Sequence, residues 1–354
     1  MQQLDFSIID PHLHQWDPYQ TPHAARTAVK LFGKSPWLLD RAVRFSKSKP
    51  FLDTLGLTQH ATRPYLPEDY AKDIGQYKVE QVVHVEAEWH HQKGKGVVEE
   101  TEFVRSLPFA VHGLKLGGIV ASADPSDSNF KKILKMHLKS SPLVRGIRKK
   151  AAVHEDPGVY SWHKDAHLYR QKAFLKGFEQ IAMHKLSFDA WVYSTQLQDL
   201  TLLARQFPET NIVLDHLGTP AGIFGQVGKY TGLTATNRQN IFKRWQDDLA
   251  ELAELPNVYT KLSGVFMPVL GHQFYQYNKR ATKQEIIDLT TPLVMHALQC
   301  FGSYRLMFAS NFPMDSVNVN LVDLIDAWTD IIAQYDPDAV SRIFRTTAKQ
   351  FYRL

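Results

Sequence analysis

Short apolar segments alternate with amphipathic segments along this chain. The apolar segments are rich in β-branched residues and are the predicted strands, at residues 8–14, 79–87, 115–120, 143–148, 186–192, 211–218, 258–264 and 305–313. Between them, apolar residues recur every three to four positions, which is the spacing of one helix face. The helices predicted from this spacing lie at 97–107, 130–138, 173–185, 197–206, 238–255, 285–300, 321–335 and 340–351.

Strands that alternate with helices form a parallel sheet, because a right-handed crossover must carry the chain back between neighbouring strands. Eight such units in one chain favour a closed (β/α)8 barrel over an open sheet. We therefore predict an α/β fold in which residues 1–354 form a single TIM-like barrel domain.

A long segment at 19–67 interrupts this alternation directly after the first strand. It contains several prolines and one short predicted helix, near 37–45, and a further helix is predicted to begin at Pro67. A long loop that follows a strand ending in polar residues is well placed to cover a site. Two interpretations stay open, a lid-like insertion and a surface segment without a role.

Two histidines, His12 and His14, end the first predicted strand. Alternate residues of a strand point to the same side, so these two imidazoles share one face. Other polar or aromatic residues fall at the ends of later strands, namely Glu86, Arg148, Asp189, Trp191, His216, Ser263 and Asn311. Because the site of a (β/α)8 barrel is built from the C-terminal ends of its strands, we predict that these residues form one site.

Composition narrows the classes of function. Hydrophobic residues make up 44% of the chain, and the net charge of +5 comes without a long basic tract, so no nucleic-acid partner is predicted. Cys300, the one cysteine, excludes an intrachain disulfide and fits a reducing compartment. We find neither a bilayer-length apolar run nor a signal-peptide pattern from Met1 onward. We therefore expect a soluble, cytoplasmic protein without a membrane partner.

Several motifs, taken together and in order, carry a resemblance to a known family. They are Asp10-Pro11-His12-Leu13-His14, His84-Val85-Glu86-Ala87, Arg145-Gly146-Ile147-Arg148, Leu214-Asp215-His216-Leu217-Gly218, Lys261-Leu262-Ser263-Gly264 and Ser310-Asn311-Phe312-Pro313. This set resembles the amidohydrolase-related family, in the branch that contains the sugar-lactone and 2-pyrone-4,6-dicarboxylate lactonases. The resemblance covers nearly the whole chain.

The resemblance implies a distorted barrel and a hydrolase. In metal-using relatives the histidines matching His12, His14 and His216 hold a divalent ion, such as zinc or manganese, whereas the pyrone lactonases work without a metal. Both possibilities stay open for this chain. The implied reaction is attack of water on the carbonyl of a lactone or cyclic ester of a small organic acid. The alternatives are a metal-dependent decarboxylase and a non-catalytic barrel that binds an acidic small molecule.

The chain departs from the family pattern at the end of the eighth strand. Where the family has a water-activating aspartate, this sequence has Asn311. An amide accepts no proton near neutral pH, so Asn311 can orient water or hold a carbonyl but cannot act as the general base. The candidate bases are then Asp315, Glu86, Asp189 and His216. For Asp315 the competing interpretation is a turn or helix-capping residue.

Arg148 is the candidate for binding a carboxylate on the substrate. A guanidinium can hold a carboxylate with two parallel hydrogen bonds, although a structural ion pair is an equally good interpretation. The tryptophans Trp16, Trp89, Trp162 and Trp191 are candidates for apolar walls of the pocket, although each is also a candidate core residue. The predicted partner is thus a small, carboxylate-bearing lactone, and the sequence gives no oligomeric state.

Overall fold

Eight parallel strands form the centre of the molecule. The computed structural model describes residues 4–23, 25–91 and 94–354. Met1, the first residue of the segment in which no signal-peptide pattern is found, lies outside the described residues. The strands are β1 (Ile8–Leu13), β2 (Val79–Val85), β3 (Leu116–Ser122), β4 (Val144–Lys150), β5 (Ser187–Trp191), β6 (Ile212–Leu214), β7 (Val258–Leu262) and β8 (Leu306–Phe308). They pair in chain order from β1 to β8.

The barrel closes at one point only. Leu13 of β1 forms a single parallel bridge with Phe312, beyond the end of β8. Beside it, the His14 N–H donates to the Phe312 carbonyl at 2.9 Å and the Asn311 N–H donates to the His12 carbonyl at 2.8 Å. The predicted (β/α)8 barrel is therefore confirmed, in a nearly closed and distorted form.

Two predicted strands are much longer than the observed ones. The prediction at 211–218 corresponds to β6, and the prediction at 305–313, which comprises the eighth strand and its turn, corresponds to β8; each observed strand has three residues. Beyond them the backbone turns through left-handed conformations at His216 (φ 58°) and Asn311 (φ 55°). Both turns are fully buried, and their sequences are therefore as apolar as those of the strands. This is why the prediction extends each strand beyond the point where the backbone leaves the sheet.

Helices surround the barrel between successive strands. In order they are α1 (Arg26–Phe32), α2 (Pro36–Ser46), α3 (Lys49–Leu55), α4 (Gln59–Thr62), α5 (Pro67–Asp73), α6 (Glu99–Ser106), α7 (Phe130–Ser140), α8 (Lys172–Met183), α9 (Leu197–Gln206), α10 (Ala235–Ala253), α11 (Lys283–Arg305), α12 (Leu321–Tyr335), α13 (Pro337–Ser341) and α14 (Thr347–Tyr352). The predicted helices at 197–206 and 321–335 are confirmed residue for residue. None of the helices in the described ranges is both long and apolar enough to cross a bilayer.

The segment after β1 is more regular than its sequence indicates. One short helix is predicted there, whereas the structure has four, α1 to α4, and the prediction is wrong in this respect. These helices have 4 to 11 residues, too few turns for a clear periodicity. Pro36 and Pro50 sit in the first turns of α2 and α3, where proline starts a helix rather than breaking one.

The last helix fills the interior of the barrel from one end. Phe351 and Tyr352 of α14 pack in one apolar cluster with inward-facing strand residues such as Ile9, Val83 and Met307. The predicted helix at 340–351 is divided into α13, one π-helical turn and α14. The barrel is thus closed by apolar residues at this end, and its charged residues lie between that layer and the C-terminal ends of the strands.

Candidate active site

A buried charged cluster occupies the barrel centre next to the apolar layer. The ammonium of Lys261, on β7, donates to Asp189 Oδ2 at 2.6 Å and lies 3.0 Å from Asp215 Oδ1. The Tyr352 hydroxyl also donates to Asp189 Oδ2 at 2.6 Å. None of these side chains is exposed to solvent. Burial raises the pKa of Asp189 to about 6, although Lys261 opposes the rise by stabilising the carboxylate.

Arg148 spans this cluster at the end of β4. Its Nε donates to Glu86 Oε1 at 2.8 Å and one terminal nitrogen donates to the Glu86 carbonyl at 2.7 Å. The other terminal nitrogen lies 3.4 Å from Asp215 Oδ2. Burial by itself raises the pKa of Glu86, but Lys150 and Arg148 outweigh it and the net shift is downward. The edge of Arg148 suited to a bidentate carboxylate is therefore engaged by Glu86.

His12 lies between three charged groups. Its Nδ1 is 3.3 Å from Asp215 Oδ1 and 3.0 Å from the Lys261 ammonium, and its Nε2 is 3.4 Å from a guanidinium nitrogen of Arg148. Burial, followed by the positive charge of Lys261, holds the pKa of His12 well below its usual value. The Lys261 ammonium can only donate, so accepting its hydrogen bond at Nδ1 and donating from Nδ1 to Asp215 belong to different tautomers of the neutral ring.

His14 and His216 each have one ring nitrogen fixed by the protein. The Nδ1 of His14 donates to the Val85 carbonyl at 2.8 Å, and the Nδ1 of His216 lies 2.9 Å from Ser263 Oγ. Burial holds the pKa of His14 well below its usual value and lowers that of His216 to about 3. Both imidazoles are therefore neutral near pH 7, and His14 keeps an electron pair on Nε2.

The position of His216 depends on a glycine. A Cβ on Gly264 would lie 2.4 Å from the His216 ring, and the φ of Gly264 is +66°. A larger residue at this position would meet both a steric clash and a strained backbone. The ring centroid of His216 lies 4.6 Å from that of His12, so the turns after β6 and β7 bring a second imidazole beside the one on β1.

Asn311 and Asp315 follow β8. The Asn311 side chain reaches the cavity described below, and its Nδ2 faces Asp315 on the other side. Asp315 is completely buried behind it, where its Oδ1 accepts the Phe266 N–H at 3.0 Å. Burial raises the pKa of Asp315 to about 8, with hydrogen bonds from Phe266, Gly264 and Asn311 opposing the rise. At neutral pH this carboxyl therefore holds its proton.

A cavity with about 950 Å³ of empty space opens above these groups, partly into solvent. His14, His216, Asn311 and Arg148 lie in its wall on the barrel side. The opposite wall comes from the segment after β1 and includes Val43, Lys47, Phe51, Leu55 and His60. Helices α2 to α4 therefore form part of the same cavity that the strand ends form.

The structure separates the residues predicted from sequence into two layers. His14, Glu86, Arg148, Trp191, His216 and Asn311 line the cavity. His12, Asp189, Ser263 and Asp315 are buried beneath or beside that lining, where they contact other site residues. All of them thus lie in one region of the barrel, and their roles stay predictions.

Sequence reasoning missed Lys261 as a site residue. It lies on a strand of otherwise uncharged residues, Val258–Leu262, and is completely buried. A lysine is almost never fully buried without an ionic partner, so its place in an apolar strand was a usable signal. The insertion residues Lys47 and Phe51 were also missed, and their short helices gave no signal of what they face.

The donor atoms at the barrel mouth fit a divalent metal. Ligand atoms of His12, Asp215 and His216 all lie within 4.8 Å of one another, and all three side chains are buried. Two neutral imidazoles and a carboxylate are a suitable donor set for zinc or manganese. The sequence predicts His14 as a ligand, but it is outside this group and Asp215 is within it. Arg148 and Lys261 lie against the same carboxylate and compete with a bound cation.

Comparisons with known proteins agree with this architecture. A family model described as amidohydrolase matches residues 9–354. The protein y4mH of Sinorhizobium fredii is 28% identical over 350 residues, 99% of each chain. An L-fucono-1,5-lactonase of Burkholderia ambifaria is 28% identical over 224 residues, which are 61% of this chain and 64% of the lactonase.

A solved structure shows the same fold. The crystal structure of an amidohydrolase from Burkholderia multivorans with bound zinc aligns with a TM-score of 0.69 and 20% identity. The alignment covers 99% of this chain and 100% of that chain. At this level of identity the likeness concerns the fold alone.

Proposed function

Because the chain belongs to the amidohydrolase family, we propose that it is a hydrolase that opens a lactone or cyclic ester of a small organic acid. The partial similarity to an L-fucono-1,5-lactonase supports ester hydrolysis as the reaction. The observation that carries the proposal is the fixed, neutral imidazole of His14 beside Asn311 in the wall of one cavity. Residues 1–354 act as one barrel domain in this proposal, with 19–67 as the cover of its site.

His14 is the proposed proton carrier. Its Nδ1–H is held by the Val85 carbonyl, so Nε2 can accept a proton from the attacking water. The water oxygen adds to the lactone carbonyl, the ring C–O bond breaks, and the same proton passes from Nε2 to the leaving alkoxide. The product is an open-chain hydroxy acid, and no other reactant is needed.

Asn311 is the proposed partner of the carbonyl oxygen. Its Nδ2 is buried at the cavity and carries two N–H groups, so one can interact with Asp315 while the other donates to the oxygen that becomes negative as water adds. This role needs a donor and no proton acceptor, which fits an amide where the family has an acid. Asp315 then acts as a positioning residue behind Asn311.

His12, Asp215 and His216 would hold a zinc or manganese ion, since their donor atoms converge. When bound, such an ion polarises a carbonyl and lowers the pKa of water. Without a metal ion, Arg148 and Lys261 already place positive charge beside Asp215 and hold its carboxylate in position. The proposal for His14 holds in either case.

Lys47 is the proposed contact for a carboxylate on the substrate. It lines the cavity, and no salt bridge joins it to an acid in the part of the chain that the structure describes. Arg148 was the sequence-based candidate, but Glu86 occupies two of its nitrogens. Lys150 likewise pairs with Glu88. Lys47 is half-buried and has no acidic partner in the described part of the chain, so among the cations of the cavity it is the one most available to bind an anion.

The test is hydrolysis of a lactone panel by the purified protein, with and without added zinc or manganese. We expect ring opening, followed as acid release, and a loss of about 100-fold or more in kcat/KM for His14→Gln. The matched control is His167→Gln, because the His167 side chain is 67% exposed and outside the cavity lining. A protein that opens no lactone under any of these conditions contradicts the proposal, and carbon dioxide release from aromatic acids would indicate a decarboxylase instead.

A further inference from the structure

The cavity is lined by aromatic and aliphatic side chains on the side away from the barrel. From His216 the ring centroids run to Trp191 at 6.0 Å, from Trp191 to Trp162 at 4.9 Å, and from Trp162 to Phe51 at 6.3 Å. Phe51 belongs to α3, so this row of rings joins a reaction-centre histidine to the insertion. A group attached next to the scissile ester therefore meets aromatic rings, with the ammonium groups of Lys150 and Lys47 lying 4.9 Å from the Trp162 ring and 5.7 Å from the Phe51 ring.

The insertion adds aliphatic side chains to the same wall. Val43 on α2 and Leu55 on α3 both line the cavity, and Val43 is 2% exposed. Val43 also packs in a small core of its own with Ala25, Val29 and Leu39, which fixes α1 and α2 to each other. The apolar wall is thus a packed surface of the insertion.

Several polar groups in the lining are engaged within the protein, whereas Lys47 has no acidic partner and the Trp162 indole N–H has no hydrogen-bond partner among the described residues. Arg148 and Lys150 are bound by Glu86 and Glu88, and the Thr54 hydroxyl donates to the Pro50 carbonyl at 2.9 Å. The indole N–H of Trp191 donates to Thr219 Oγ1 at 3.0 Å. A ligand with many hydroxyls would lose its hydrogen bonds to water here and find few replacements.

We propose that the substrate is a lactone carrying an alkyl or aryl substituent that lies against Trp162, Phe51, Val43 and Leu55, and not a polyhydroxylated sugar lactone. This inference rests on the proposed lactone hydrolysis and adds the substrate class. Apolar surface of the substituent leaves water when it enters the cavity, and the ring faces provide close contacts. The insertion is in this view the element that selects the substrate.

The experiment compares two six-membered lactones, δ-decalactone with its pentyl substituent and D-glucono-1,5-lactone with its hydroxyls. Each kcat/KM is divided by the uncatalysed rate of the same lactone. We expect a preference of about 100-fold or more for δ-decalactone, since several methylenes are removed from water. A corrected value for the gluconolactone that equals or exceeds that for δ-decalactone overturns the inference while the proposed function stands.

A matched pair of variants tests the wall itself. Phe51→Gln should lower the ratio of the two kcat/KM values about 10-fold, because it places an amide among the rings. Phe45→Gln, whose phenylalanine is 96% exposed on the neighbouring helix, should leave the ratio unchanged. An unchanged ratio in Phe51→Gln overturns the inference.

A binding measurement keeps the inference separate from turnover. The ring-opened acids 5-hydroxydecanoate and gluconate carry the same carboxylate, and both can be followed by quenching of the fluorescence of the cavity tryptophans. We expect at least 10-fold tighter binding of 5-hydroxydecanoate, weakened by Phe51→Gln. If no lactone is hydrolysed, the proposed function fails, and this affinity ratio alone decides the inference: equal or weaker binding of 5-hydroxydecanoate overturns it.

Discussion

Asp315 is a carboxyl group placed where it cannot easily ionise. It is completely buried, and one of its oxygens accepts the Phe266 N–H at 3.0 Å. The raised pKa follows from this position, because burial disfavours the charged carboxylate and the nearby donors offset only part of that penalty. At the residue scale the acid expected to activate water is thus a neutral group behind Asn311.

This arrangement predicts a pH-dependent stability difference between the wild type and Asp315→Asn. The folded pKa of about 8 lies above the usual value of 3.8, so the folded state holds the proton more tightly. The stability contributed by the protonated carboxyl is full below pH about 4 and is lost as pH rises towards 8. The amide cannot ionise, so the variant should gain about 3 kcal/mol relative to the wild type between pH 5 and pH 8.

The measurement is the free energy of unfolding in urea at both pH values. All other titrating groups are common to the two proteins and cancel in the comparison. Asp247→Asn, at a side chain that is 62% exposed, is the control and should show no such difference. A constant difference between Asp315→Asn and the wild type would mean that Asp315 is ionised in the folded protein.

At the scale of elements, Asp156 joins two loops of the barrel mouth. Its carboxylate accepts the backbone N–H groups of Gly158, Lys229, Tyr230 and Thr231 at 2.8–3.0 Å. Burial alone raises the pKa of Asp156, but these donors outweigh it and the net shift is strongly downward. The loop after β4 is thereby tied to the loop after β6.

These loops also support the insertion. The Tyr160 ring, in the same loop as Asp156, lies 5.2 Å from the Phe51 ring of α3. Gly158 and Gln226 line a second cavity together with Pro50 and Thr54 of that helix. A carboxylate that organises the two loops therefore also acts, through Tyr160, on the wall proposed to select the substrate.

Asp156→Ala should loosen this connection without opening the barrel, since four backbone donors lose their common acceptor. We expect proteolytic cleavage within 221–233 to become at least 10-fold faster, mapped by mass spectrometry of limited digests. Asp338→Ala, at an exposed position on α13, is the control with unchanged cleavage. An Asp156→Ala protein that resists protease like the wild type would show that the loops are held by other contacts.

At the scale of the whole molecule, charged groups from most of the barrel meet at its axis. The acids are Glu86, Asp189 and Asp215, and the bases are Arg148, Lys150 and Lys261. Lys150 also pairs with Glu88, which is partly exposed to solvent. Each buried charge depends on the others for its stability, because none can be hydrated where it lies.

Lys261→Met should therefore be strongly destabilising although it places an apolar residue in a buried position. Asp189 and Asp215 would lose the ammonium that lies 2.6 and 3.0 Å from their carboxylates. We expect a loss of about 3–5 kcal/mol in the free energy of unfolding, because removing one partner of a buried ion pair leaves the other charge buried without compensation. Denaturant unfolding of the purified variant measures it.

The control is Lys243→Met, where the lysine side chain is 71% exposed and pairs with Asp247 on the same helix. That change should stay within about 0.5 kcal/mol. A loss below 1 kcal/mol for Lys261→Met would show that the two carboxyls take up protons instead of remaining charged.

The sequence by itself determined the barrel and placed His14, Glu86, Arg148, Trp191, His216 and Asn311 at the end of the strands where the structure has its cavity, while their roles stay predictions. Strand and helix periodicities are local, so β1 to β8 could be placed from short windows of sequence. His14, His216 and Asn311 follow from those placements, since residues at the C-terminal ends of parallel barrel strands meet at one face. The family resemblance from the ordered motifs is confirmed by a family match over residues 9–354.

Only the tertiary structure decided which of these residues touch. Lys261 and His12 are 249 positions apart, and their contact depends on strand register and on the left-handed turns beyond β6 and β8. Arg148 pairs with Glu86 because the end of β2 brings that carboxylate next to β4, and this position cannot be read from the sequence around Arg148. The insertion helices are too short to signal themselves, and the cavity wall at Phe51 exists because they pack across the barrel mouth. Such contacts are set by three-dimensional packing, which no local pattern in the chain records.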